Sequence, residues 1–306
     1  MKNILTYLAA FPLLTVSLLF VSCGGDDDNN NGGKVTPPSP TSKNVNANPK
    51  NKPEYARLEM PRIKTTGTTI LIHKTADKYD KDGVNFIIEW DNSKKAQRYT
   101  AYQMHKGYSG SSGRTDAWAE DPEIPLAYRF ADTRSMYSGS GYTRGHILPS
   151  ADRTFSTSAN SQTFYYSNMQ PQYYNFNAGD GYTGAWVIME NQVRKWTNAF
   201  SVNDTLYVVK GGTIDDDKII EKVKGQLIVP KYFFVALLRK TSAGYAALGM
   251  WFEHTKDVIP GIHLSDYCIS IDELERKTGI DFFCNLPDNE EDKVEKTFAL
   301  KTWGLN

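Results

Sequence analysis

Five runs of aromatic and β-branched residues, with one amphipathic segment set among them, constrain the fold of this chain most tightly. Val84–Trp90 (VNFIIEW) and Gln97–Met104 (QRYTAYQM) flank the polar stretch Asp91–Ala96 and read as an antiparallel hairpin. Leu206–Lys210 (LYVVK), Tyr232–Arg239 (YFFVALLR) and Tyr245–Phe252 have the composition of strands packed in a sheet. Ahead of these three, Trp186, Met189, Val193, Trp196 and Phe200 recur at intervals of three and four residues, the stripe of a helix with one buried face. Ser270-Ile271-Asp272-Glu273 has the capping-box pattern and Gly279 a stop signal, which predicts a further helix. Strands, loop, helix, strands and helix in that order argue an α+β domain with an antiparallel or mixed central sheet flanked by helices.

The N-terminal residues read as targeting rather than fold. Lys2 precedes a nearly unbroken apolar run, Ile4–Val21, that contains Pro12 and ends at Ser22-Cys23-Gly24-Gly25. That fits an export signal, residues 1–22, better than a membrane span. The segment resembles a bacterial lipoprotein signal, which implies a lipidated Cys23 and an outer-membrane location; ordinary cleavage with a free Cys23 is the alternative. Asp26-Asp27-Asp28 resembles a surface-export tag. Through Pro53 the chain is rich in Asn, Gly, Pro, Ser, Thr and Lys, so residues 23–53 are expected to form a tether. Residues 54–306, about 250 in number, suffice for one domain with a sizeable core.

Charge and cysteine content narrow the function classes. Lys2, Lys34 and Lys43 balance the three early aspartates, so residues 50–306 are as neutral as the whole chain, whose formal net charge is +0. A protein that holds nucleic acid by general electrostatics is basic, so any polyanion site here must be a local patch. Cys268 and Cys284 are either a disulfide or two separately buried thiols; neither has a histidine at metal-ligand spacing, and no CxxC occurs. The runs Ser109–Gly113 and Ser138–Gly141 lack G-x-S-x-G spacing, which leaves a serine-hydrolase elbow unsupported.

The stretch YTRGHILPSADR, Tyr142–Arg153, has the chemistry for attack on an anionic ester. His146 can take a proton from water near neutral pH, and Arg144 can hold a phosphate or carboxylate through its planar fork. Gly145 between them permits a close backbone approach or a dihedral closed to other residues. A second cluster, Ser167–Trp196, holds Asn168, Gln170, Gln172, Asn175 and Asn177 ahead of the helix that carries Glu190 and Arg194. Amide oxygens suit a Mg²⁺ that keeps most of its waters. Glu190, on the shoulder of the buried stripe, can hydrogen-bond water bound to such an ion. His73, His105, His254 and His263 stand singly and read as structural or surface residues; Tyr165-Tyr166 and Tyr173-Tyr174 could stack bases but more naturally pack.

Together Thr143-Arg144-Gly145-His146, Asn168-Met169-Gln170-Pro171-Gln172, Asn177 and Trp186–Glu190 resemble the motifs of the DNA/RNA non-specific endonucleases, the ββα-metal or His-Me finger nucleases. The C-terminal Ile271–Pro287 resembles that family's closing segment, so the likeness runs in order from about Val84 to Pro287. The resemblance implies His146 as general base and Asn177 as the single direct protein ligand of Mg²⁺, with Mn²⁺ or Ca²⁺ able to take its place. Arg144, Asn168 and Glu190 would support the site, the arginine on phosphate charge, the asparagine by orienting the histidine region and the glutamate by holding metal-bound water, and Arg194 and Arg114 would bind substrate phosphate. DNA and RNA would be cut to 5′-phosphate ends. Two departures stand out. Thr143 occupies a position that is aspartate in the family, and Ala178–Ala185 makes the link from Asn177 to Trp186 longer, with Asn175 as the fallback ligand. A nuclease-like binding module without activity, and a phosphodiesterase for small nucleotides, are the rival readings.

Overall fold

The computed structural model describes residues 43–76, 80–108 and 110–305. The expected signal segment, Cys23 and most of the expected tether lie outside the described residues. In chain order the strands are β1 (Thr68–Lys74), β2 (Val84–Asp91), β3 (Ala96–Met104), β4 (Thr143–His146), β5 (Met169–Gln172), β6 (Thr205–Gly212), β7 (Ile219–Val223), β8 (Leu227–Pro230), β9 (Tyr232–Thr241), β10 (Gly244–Glu253) and β11 (Cys268–Ile269). The α-helices are α1 (Thr133–Tyr137), α2 (Thr157–Gln162), α3 (Tyr174–Asn177), α4 (Ala185–Ala199), α5 (Ile271–Thr278) and α6 (Asp288–Lys296).

Seven strands form one sheet in the order β1-β2-β3-β6-β9-β10-β11. Every neighbouring pair runs antiparallel, which resolves the antiparallel-or-mixed alternative. The strands read as unbroken apolar runs because both faces of the sheet are covered. Along β9, Phe233, Val235 and Leu237 join a core with Trp186, Met189 and Val193 of α4. The alternate residues Phe234, Ala236 and Leu238 join a second core with Ile271 and Leu274 of α5 and Val294 of α6. The α+β class thus takes the form of helices on both sides of a central sheet.

Local signals explain the ends of the elements. The Ser270 side chain accepts a hydrogen bond from the Glu273 backbone N–H at 3.1 Å, and Gly279 closes α5 in the left-handed conformation at φ 66°. Asp91 folds the β2–β3 turn by accepting from the backbone N–H groups of Ser93 and Lys94. The two cysteines are separate thiols. Cys268 donates to the Leu264 carbonyl, and Cys284 is buried beside the Met60 carbonyl. Hydrogen bonding to the domain also begins earlier than the boundary expected at residue 54. Asn46 donates to Glu291 at 2.7 Å, and Asn48 donates to the Pro61 carbonyl at 2.9 Å while accepting from Ile63 N–H.

Arg153, the last residue of the motif, is a clamp. Its guanidinium is buried and donates to Asn85 Oδ1 at 2.7 Å, the Asn85 carbonyl at 2.9 Å and the Gln103 carbonyl at 3.0 Å. The chain after His146 is thereby bolted onto β2 and β3. Its removal strands three acceptors beneath the sheet. Arg153→Met is expected to lower unfolding free energy by about 3 kcal/mol in urea titration, because buried acceptors left without a donor are costly. A loss below about 1 kcal/mol would show that the clamp carries little of the fold.

Candidate active site

The β4–β5 pair stands outside the large sheet and is tied to the sheet and to α4. Gln170 accepts from Gly212 N–H at 2.6 Å, and Trp186 Nε1–H of α4 donates to the His146 carbonyl at 3.0 Å. Gly145 lies opposite Gln170 in the ladder. A Cβ there would fall 2.2 Å from the buried Gln172 side chain, so of the two roles foreseen for Gly145 it is close approach that applies. A cleft of about 1050 Å³ opens over this pair and the start of α4. Arg114, Arg144, His146, Asn177, Glu190 and Arg194 all line it.

His146 forms the floor. Its ring meets Trp118 at 5.5 Å and Phe164 at 5.0 Å, both edge-on, and its Nε2 has no hydrogen-bond partner. Burial first, then the neighbouring Arg114 and Arg144 guanidinium groups, hold its pKa down to about 3, against a hydrogen bond to the Arg144 backbone. The imidazole is therefore neutral, with a lone pair uncommitted. Arg144 lies 3.8 Å over the Trp118 ring. Arg114 is braced by Asp116 at 2.9 Å and Ser150 Oγ at 3.0 Å.

Asn177 closes the last turn of α3. Its Nδ2 donates to Thr143 Oγ1 at 2.9 Å, and that hydroxyl donates to the Gln172 carbonyl at 2.9 Å. The amide is thus oriented by its nitrogen, and its oxygen has no assigned partner. Thr143, the departure from the aspartate pattern, does this orienting with a neutral hydroxyl. The longer link folds back compactly: Gly184 N–H donates to the Ala178 carbonyl at 2.8 Å, and Thr183 Oγ1 to the Asp180 carbonyl at 2.9 Å. It leaves Asn177 in the cleft and sets the exposed Tyr182 at the rim. Asn175 faces elsewhere, donating to the Lys256 carbonyl at 2.9 Å, and does not line the cleft.

Glu190 and Arg194 occupy one face of α4, 4.0 Å apart at their closest atoms. Arg194 also pairs with the buried Asp152 at 2.7 Å, which answers for the aspartate that precedes Arg153. Burial raises the Glu190 pKa against the pull of Lys210 and Arg194, and burial lowers that of Lys210. Lys210, fully buried on β6 with an unpartnered Nζ, is a cation that sequence reasoning passed over as part of a strand.

Asn168 is placed differently from the other expected residues. It is fully buried and does not line the cleft. Its side chain donates to the carbonyls of Leu148 at 2.9 Å and Thr163 at 2.8 Å and accepts from Leu148 N–H at 2.9 Å. It shapes the chain after His146 and cannot touch a substrate in this arrangement. Trp118, Arg134, Tyr137 and Tyr182 line the cleft although sequence reasoning assigned them nothing; only the arginine content of the region hinted at them. Tyr165, Tyr166, Tyr173 and Tyr174 are absent from the lining. His73 is bound to Asp121 at 2.9 Å, and His254 accepts from Tyr173 N–H and donates to the Pro230 carbonyl.

The donor set fits a hard divalent cation. An amide oxygen and a carboxylate whose nearest ionic partner is 4.0 Å away share the cleft, with room for water between ligand and protein.

The chain is similar to a nuclease of Nostoc sp., 32% identical over 229 residues that make up 72% of this chain and 79% of the relative. It is 30% identical over 223 residues to the mitochondrial nuclease EXOG of Xenopus laevis, covering 69% of this chain and 59% of that protein. Among solved structures, an EndoG/EndoGI complex matches with a TM-score of 0.56 at 20% identity, over 71% of this chain and 87% of the other; this likeness concerns the fold. The family model for DNA/RNA non-specific endonucleases matches residues 70–289, and the chain belongs to that family.

Proposed function

We propose that the cleft hydrolyses phosphodiester bonds of DNA and RNA without regard to sequence, with His146 as general base. The observation that carries this reading is the neutral His146 imidazole, which lines one cleft together with Asn177, Glu190 and three arginines of the site. The His146 imidazole takes a proton from water as the water oxygen attacks phosphorus, and the bond to the 3′ oxygen breaks, leaving a 5′-phosphate. Arg114, Arg144 and Arg194 hold the phosphate oxygens, where charge grows as the bond order changes. Asn177 Oδ1 would hold the divalent ion, Mg²⁺ by the hardness of its donors, and Glu190 would hold water bound to it. When bound, that ion supplies charge neutralisation at the phosphate and stabilises the leaving oxygen.

The apolar run before Cys23 supports export and lipid anchoring at the outer membrane. Mass spectrometry of the mature N-terminus tests it: a diacylglyceryl mass on Cys23 is expected, and an unmodified Cys23 would overturn the anchor.

His146→Ala is expected to lower plasmid and RNA cleavage by about 10²-fold or more with folding intact by circular dichroism, and EDTA to abolish cleavage by the unaltered protein. Full activity in the variant removes the proposed base. Cleavage of small nucleotide diesters with intact plasmid would instead favour the phosphodiesterase reading. Thr143→Val leaves the Asn177 amide without its acceptor, and its activity should fall at least about tenfold with recovery at high Mg²⁺. A Thr143→Val enzyme with ordinary Mg²⁺ dependence would dismiss the orienting role. Because the folded pKa of His146 is depressed, the base form persists as pH falls through 6.5. The acidic limb of kcat/KM that belongs to His146 is therefore expected below pH about 6.5, and a midpoint above that value would contradict the desolvated ring.

A further inference from the structure

On the side of the sheet away from the cleft, Asp272 and Glu275 of α5 and Glu295 of α6 bring carboxylate oxygens within 4.8 Å of one another. Glu295 is 8% exposed, and its Oε1 has no hydrogen-bond partner. Glu275 accepts from Phe282 N–H at 2.7 Å. Three of the four cations of these two helices pair with other carboxylates, Arg276 and Lys277 with Glu273 and Lys296 with Asp292, and the fourth, Lys293, lines a hollow with Tyr245 and Trp303. Among the described residues, no lysine or arginine forms an ion pair with any of the three carboxylates. Asp281 and Glu291 add further negative charge nearby.

We propose that Asp272, Glu275 and Glu295 form a divalent-cation site of the Ca²⁺ class, separate from the cleft, that fastens α5 to α6. Oxygens ranged around an ion at about 2.4 Å are at most about 4.8 Å apart, and Ca²⁺ accepts an irregular shell of carboxylate and water oxygens that Mg²⁺ does not. Asp272 and Glu275 are half-buried, which leaves a side open for that water. The unpartnered Glu295 oxygen is the feature that calls for a ligand, since a buried acceptor without a donor is destabilising.

The test uses the full chain carrying Asn177→Ala, which removes the cleft ligand and so separates this site from the proposed catalytic one. After EDTA treatment and dialysis, Ca²⁺ at about 100 times its Kd is expected to raise the Tm by about 5 °C. Titration calorimetry should find one equivalent bound. Adding Glu295→Gln or, should that variant fail to fold, Asp272→Asn is expected to abolish both the shift and the bound equivalent. In the chain with Asn177 intact, either substitution should leave Mg²⁺-supported cleavage unchanged. A Ca²⁺ shift of equal size with and without Glu295→Gln, or no shift at all, overturns the site. Because the readouts are Tm and stoichiometry, a failure here leaves the nuclease reading untouched, and loss of that reading leaves this one intact.

Discussion

The site depends on keeping an imidazole neutral among guanidinium groups. Enclosure by Trp118 and Phe164 and repulsion from Arg114 and Arg144 act in the same direction, against protonation. A base so placed is ready at neutral pH, but the arginines beside it would disperse unless fixed. The fold fixes each one separately. Arg144 lies on Trp118, Arg114 is braced by Asp116 and Ser150, and Arg194 is held by Asp152. The anchors are aromatic faces, hydroxyls and carboxylates, so the cleft keeps its positive field while its geometry stays rigid.

The same division of labour runs through the two adjacent residues Asp152 and Arg153. Asp152 faces α4 and holds a cleft arginine; Arg153 faces the other way into β2 and β3 and makes no contact with the cleft. Trp186 and Asn168 complete the support, the first at the His146 carbonyl and the second at the backbone of Leu148 two residues on. A motif that reads as one chemical unit thus divides into residues that line the cleft, Arg144 and His146 among them, and others that set their position. His146 is held at once by the ladder to β5 and by the Trp186 hydrogen bond from α4.

How far this was legible in sequence follows from which interactions are local. The long strands, α4 and α5 were readable because burial on two faces gives unbroken apolar runs, a buried stripe gives a 3-4 spacing, and a serine cap leaves a mark within four residues. The grouping of His146, Asn177 and Glu190 was readable through motif order. What escaped depends on pairings distant in the chain. Nothing near Lys210 says that its strand runs beneath Glu190. β1, β7, β8 and β11 are short or half-exposed, and their pattern is too weak to separate from loop. The early start of the domain escaped for a similar reason. Asn44, Asn46 and Asn48 look like tether composition, yet each donates a side-chain hydrogen bond to the folded domain.

Net charge proved the least informative quantity because opposite charges are sorted by the sheet. Arginines gather on the α4 face around the cleft, and carboxylates gather on the α5–α6 face around Glu295. A chain with formal charge +0 can therefore attract a phosphodiester at one face and a cation at the other. Such sorting has a physical advantage over a uniformly basic surface. A duplex bound through a few phosphates at a cleft is released readily after cleavage, whereas many surface lysines would hold it through counterion release at every turn. Local arginines on a domain of little net charge therefore suit an enzyme that must let go of a long polymer after each cut.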